Sequence, residues 1–207
     1  VSLSMELDGD WGESVNGLAW VATVRWNQSE HFSHSLGLGI RRNRLKAQWM
    51  TNVANDGSQP GVTGIGGVDY VFGELDQMIW DVTLRSSVLF DRDRSLQLYL
   101  QPFLTRGDYT NPVWLATPDS FDLRPYGLDA GAYDFNFGAM NLNLVYRWEY
   151  RPGSTVFLVW THSKQRYDVR GPAPDPYAWD NDFDLGYVTD SEPRNTFLAK
   201  VSYWFSI

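Results

Sequence analysis

The sequence predicts an all-β fold, an antiparallel up-and-down transmembrane β-barrel of about eight strands. Three observations predict it. Apolar residues recur at every second position in one segment after another, while helical periodicity is nearly absent. Short polar turns and long connections alternate along the chain, which is how such barrels place tight turns on one side of a membrane and loops on the other. The final segment, FLAKVSYWFSI, carries an unbroken apolar row: Phe197, Ala199, Val201, Tyr203, Phe205 and Ile207. A soluble sandwich can also end on an amphipathic strand, but it does not need turns of alternating length.

Taken in order, Val1, Leu3, Met5 and Leu7 form the first row, opposed by Ser2, Ser4 and Glu6. Leu18, Trp20, Ala22, Val24 and Trp26 form the next. Alternation continues through Phe32 to Ile40, Met78 to Phe90, Leu96 to Leu104 and Met140 to Tyr150. Segment 154–167 is apolar on both faces, so its parity is open. Tight turns are expected near 27–31, 91–94 and 151–154, and long connections near 9–16, 51–63, 109–132 and 168–193. The stretches 32–52 and 64–90 exceed the roughly 9–11 residues that cross a bilayer, so their outer halves are expected to project as a hairpin. Trp26, Phe32, Phe90, Tyr150 and Phe205 fall at the tight-turn end, where a membrane-interface girdle of aromatic rings would sit.

Composition narrows the class. One domain over residues 1–207 is the natural reading at this length. No cysteine is present, which excludes a disulfide scaffold and a thiolate zinc site. Net charge is −8, which argues against a nucleic-acid surface. No run of about 18 apolar residues exists for a transmembrane helix, a test that barrel strands escape because half of each faces inward. The chain opens on VSLSMEL, already alternating and with no leader visible. A leader removed from a mature protein, or a piece of a longer chain, would both read this way.

Several segments carry a family resemblance: YVFGELDQ (70–77), SLQLYLQPF (95–103), NLNLVYRWEYRPGSTVFLVWTHS (141–163), FDLG (183–186) and FLAKVSYWFSI (197–207). They resemble the C-terminal barrel of an uncharacterised family of bacterial outer-membrane proteins, whose longer members carry an N-terminal domain similar to a family 9 carbohydrate-binding module. RWEYRPGS followed by FLVW is the most specific part, since it spans strand, tight turn and next strand. The motifs run from about residue 70 to the end, and the first 65 residues match in pattern only. The resemblance implies a bacterial outer-membrane location, with lipid, lipopolysaccharide and the barrel-insertion machinery as partners. It implies no activity and no catalytic residues. Because family members are several times longer, these strands could be the closing part of a wider barrel.

The polar rows predict a lumen lined by Arg25, Asp81, Arg85, Gln97, Gln101, Asn141, Asn143, Arg147, Glu149 and Lys200, with Arg85–Asp81 and Arg147–Glu149 spaced for ion pairs on one face. An eight-stranded barrel is filled by such side chains, whereas a wider one would hold water between them. Trp114, Tyr126, Tyr133, Tyr177 and Trp179 lie in or beside the outer loops. Exposed rings there could stack on a glycan, or simply pack the loops and anchor at the interface. Asp180, Asp182 and Asp184 alternate in a calcium-like spacing but lack the glycine an EF-hand loop needs, so a solvated acidic loop is the plainer reading and calcium a weak one. No other cofactor is expected. Catalysis is not expected either: His31 falls in a turn, His34 shares parity with Phe32 and Leu36, and His162 points away from its neighbour Ser163, which leaves Asp168 as a remote partner. The function expected is passage of small solutes, with a non-conducting anchor as the alternative.

Overall fold

The computed structural model describes residues 1–12, 15–55, 67–117, 122–172 and 185–205. The strands are β1 (Ser2–Trp11), β2 (Val15–Ser29), β3 (Phe32–Ala54), β4 (Val68–Leu89), β5 (Arg94–Leu115), β6 (Leu123–Pro125), β7 (Phe135–Arg151), β8 (Ser154–Val169) and β9 (Arg194–Ser202). They form one antiparallel sheet in the order β1-β2-β3-β4-β5-β7-β8-β9, with the short β6 added beside the end of β5. The all-β, up-and-down arrangement therefore holds. Closure does not: among the described residues β1 pairs only with β2 and β9 only with β8, so the sheet is open at both edges. Alternation specifies strands and faces, but closure depends on how far a sheet curls and on which edges meet, and period two carries neither.

The tight turns lie at 30–31, 90–93 and 152–153, all at one end of the sheet. At 152–153 the chain reverses through Gly153 at φ 77°, a left-handed value that an L side chain resists. At 90–93 the Asp91 carboxylate accepts from the Asp93 and Arg94 backbone N–H groups and from the Arg94 guanidinium. That guanidinium holds the Asp91 carboxyl below the usual carboxylate range.

The long connections leave from the other end, and two expected boundaries need correcting. Residues 109–115 are strand, not loop, because they continue the β4 ladder through Leu75↔Tyr109 and Val71↔Trp114. β1 likewise runs to Trp11. Within β5, Pro102 has no N–H to donate, and the β4–β5 ladder is interrupted opposite Val82 and Thr83. The expected hairpin beyond residue 42 is present: β3 and β4 stay paired from Arg42↔Met78 to Ala54↔Val68, with two register shifts.

Burial is concentrated at this loop end. Val71, Trp114 and Tyr126 form a small core, with Val53, Ala116 and Leu128 against it. The Tyr126 hydroxyl donates to buried Asp69 over 3.2 Å. A 3-10 turn at Ala130–Tyr133 precedes buried Asp134, whose carboxylate accepts from the Tyr109 N–H at 2.7 Å and from Arg170 at 3.3 Å. The short helix α1 (Gly186–Thr189) packs its Val188 over Gly138, where any Cβ would collide with it.

Candidate functional site: a two-faced sheet with an arginine-lined cleft

The ladder registers align residues of every long strand into rows. One row reads Ser2, Arg25, Ser35, Arg85, Tyr99, Asn143, Thr161, Thr196. All eight are polar or amphipathic. The row one residue along reads Leu3, Val24, Leu36, Leu84, Leu100, Leu142, His162, Asn195. Its first six are aliphatic. Successive strand residues face opposite sides, so these two rows describe two faces of the sheet at the same level.

The apolar face forms a band. On β4 it runs from Met78 to Val88, eleven residues, or about 33 Å along the strand. Beyond it lies a charged collar: Arg42 and Arg44 share Asp76 at 2.5 and 3.2 Å, and Arg166 pairs with Asp168 at 2.8 Å. The band runs obliquely to the rows. It is centred at Ala22 on β2 and at Val201 on β9. Through the registers, carried across the gap opposite Val82 by the flanking pairs Asp81↔Phe103 and Leu84↔Leu100, the level of Ala22 meets β8 at Lys164 and the level of Val201 meets it at Val156, eight residues away. Spread over the six steps from β2 to β9, that offset corresponds to strands inclined about 40° to the band's normal. The same obliquity explains why His162 and Asn195 end the aliphatic row, since on β8 and β9 the band has already stepped toward the tight turns.

Polar groups inside the band satisfy one another. His34 Nδ1 lies 2.8 Å from Ser86 Oγ, and Asn195 Oδ1 meets both His162 Nδ1 at 2.9 Å and Trp160 Nε1 at 3.0 Å. His162 is thus bound on the apolar face, while Asp168 is engaged by Arg166 six residues further along the strand. Trp26, Phe32, Phe90, Tyr150 and Phe205 stand at the tight-turn margin. All but Trp26 are well exposed, and the Trp26 ring lies tilted against His34, centroids 5.1 Å apart.

The polar face holds a cleft of about 720 Å³ lined by Arg25, Ser33, Ser35, Arg85, Ser87, Gln97, Tyr99 and Asn143, among others. Four residues expected in the lumen, Arg25, Arg85, Gln97 and Asn143, meet here. Gln101 and Asn141 face each other one row above. Arg147 and Glu149 do pair, at 2.6 Å, and Glu149 also accepts from the Gly153 N–H at 3.1 Å, so it braces the tight turn. Lys200 sits on the last strand beside Phe157, away from the cleft. The expected Asp81–Arg85 pair is absent. Asp81 lies over Gly39, a position without a side chain, and Arg85 instead stacks over the Tyr99 ring at 5.2 Å.

Tyr99, Ser33, Ser35 and Ser87 are site residues that polarity alone did not single out. Parity could have found them, since Tyr99 lies between Gln97 and Gln101. Thr161 was beyond reach, because only pairing with Asn143, to which its hydroxyl donates at 2.8 Å, decides the face of β8.

For two of the aromatics the packing alternative applies. Trp114 and Tyr126 are 3% and 8% exposed, so their faces are covered by the loop-end core and are not open to a sugar. The extra pairing of β5 with β4 and β6 draws them in. Tyr133 lies in the 3-10 turn. Tyr177, Trp179, Asp180, Asp182 and Asp184 fall outside the described residues. Among the described residues no cluster of three metal-binding side chains occurs, and no helix is long and apolar enough to cross a membrane.

A family model described as "Domain of unknown function (DUF5916)" matches residues 14–205, so the match reaches into the first strands and not only the motif-bearing part from about residue 70. No curated protein and no solved structure matches the chain.

Proposed function

The chain belongs to the DUF5916 family, and from that premise we propose that it forms wall strands of a bacterial outer-membrane β-barrel that passes small solutes. The observation that carries this reading is the separation of the two rows, polar and aliphatic, at one level from β1 through β7. In water an aliphatic face of this extent would be covered by other elements, but here Leu38, Trp80 and Leu158 remain well exposed. Lipid is the environment that suits such a face.

Two further features support it. Inclined at about 40°, the band on β4 stands about 25 Å tall, the height of the lipid-facing belt of outer-membrane barrels. That inclination is also the tilt such barrels require. The polar face then lines the lumen and the cleft becomes part of the passage. Inside lipid the free edges of β1 and β9 need partners, so the barrel closes either one onto the other or through further strands. Contact of the outer rim with lipopolysaccharide or a glycan belongs to the same reading, through the charged collar and the loops.

The test is single-channel recording from the protein extracted with detergent from its native membrane and reconstituted in planar bilayers. Stable unitary current steps are expected. Silence in a preparation that still shows heat-modified gel mobility would leave a membrane anchor and overturn the passage. The intact mass of the same preparation reports how the edges close: about 23.7 kDa means β1 meets β9, and a mass two or more times larger means a wider barrel.

A further inference from the structure

The polar face is not evenly charged. Three consecutive rows hold Arg25, Arg85 and Arg194 and no carboxylate. They are the row of Arg25 and Arg85, the row below it through Asn27, Ser33, Ser87 and Gln97, and the row above it through Thr23, Gln101, Asn141 and Arg194. The nearest carboxylates of this face stand outside the zone: Glu6 and Asp81 on the loop side, Glu149 on the tight-turn side. In a chain of net charge −8, a central zone with only cations is a marked local reversal. Arg25, Arg85 and Arg194 have no carboxylate within 4.0 Å among the described residues.

Geometry gives the reversal a use. Arg25 and Arg85 are separated by one strand, at Ser35, so their Cα atoms lie about 10 Å apart. Both side chains line the same cleft, and long guanidinium arms from that spacing can converge on one anion. Tyr99 under Arg85 orients one of them without neutralising it. Around them stand Ser33, Ser35 and Ser87 hydroxyls and the Gln97 and Asn143 amides, groups that both donate and accept. Such a set matches a solute that carries one anionic group and several hydroxyls.

We propose that this arginine zone is an anion subsite within the passage, selective for small hydroxyl-bearing anions of the sugar-phosphate or sugar-acid class. The proposal deepens the barrel reading and rests on the polar face being the lumen.

The experiment uses the intact protein in detergent and glucose 6-phosphate as probe, with glucose as the uncharged comparison, titrated calorimetrically. At least tenfold tighter binding of glucose 6-phosphate is expected, with a tenfold or greater loss in the R25Q/R85Q double variant and retention in R25K/R85K, which keeps the charge. R147Q, outside the zone, should bind as the parent does. Heat-modified gel mobility confirms that each variant is folded. Equal affinity for the two sugars, or undiminished binding in R25Q/R85Q, overturns the proposal. Silence in the bilayer recording with charge-dependent binding intact would end the passage reading and leave the subsite standing. Where current steps occur, anion preference in a salt gradient that moves toward cations in R25Q/R85Q supports the subsite, and a preference unchanged in that variant overturns it.

Discussion

The two ends of the long strands are built on different principles. At the loop end, Val71, Trp114 and Tyr126 form a core, Asp69 and Asp134 are buried and hydrogen-bonded, and burial resembles that of a water-soluble protein. In the half nearer the tight turns, one face is aliphatic and the other polar, and both are largely uncovered, although Ala22, Leu104 and Ser154 are individually buried and α1 packs at the edge of the apolar face over Gly138. The first half carries its own apolar interior. The second has an apolar exterior and depends on its surroundings to remove that surface from water. The same strands, β3, β4 and β5, run through both regimes, and the change falls at the charged collar of Arg42, Arg44 and Asp76.

The largest effect expected from breaking this contrast is in the loop-end core. Trp114→Ala should cost about 3–5 kcal/mol, as large-to-small changes in packed interiors do, read from urea unfolding in micelles. A cost below about 1 kcal/mol would mean this region is not a core.

Next come the two faces themselves. Leu100→Arg in the band should cost about 2–4 kcal/mol when folding into lipid vesicles, against about 0–1 kcal/mol for its neighbour Gln101→Arg. Equal costs would count against the proposed lipid-facing role of the apolar face.

A smaller effect is expected from Tyr126→Phe, which strips the hydroxyl that donates to buried Asp69 and should cost about 1–3 kcal/mol by urea titration. No change would show that Asp69 finds another donor.

Asp134 sharpens the comparison through pH. Burial raises its carboxyl above the usual range, partly opposed by the Tyr109 N–H and Arg170. A raised folded value favours the protonated form, so its contribution is fully present below the unfolded value of about 3.9 and is lost as pH rises through the folded value. The stability of the parent relative to Asp134→Asn should therefore fall with rising pH across the acid range, seen as diverging urea midpoints. Parallel midpoints at all pH values would contradict it.

The smallest effect is expected at the collar. Asp76→Ala leaves Arg42 and Arg44 in solvent-exposed positions and should change stability by about 0–1 kcal/mol, with a weak salt dependence in the same titration.

The amino-acid sequence by itself determined the central parts of the long strands, the faces of all of them except 154–167, and the positions of the tight turns. Side-chain direction alternates with period two, so Leu98 and Leu100 had to share one face and Gln97 and Gln101 the other, and the DRDR and RPGS turns are written in local residue types. Tertiary structure decided everything that depends on which strands are neighbours. Segment 154–167 is apolar on both faces, and only its register against β7 turned Thr161 to the polar face. Trp114 looked like a loop aromatic until β4 and β6 flanked it. Asp81 and Arg85 looked like a pair by spacing, yet an empty Gly39 on β3 and a ring at Tyr99 on β5 drew them apart. The open edges of β1 and β9 have the same physical origin. Alternation is a property of one strand, whereas register, curl and closure are properties of pairs, and a single strand's pattern does not encode its partner.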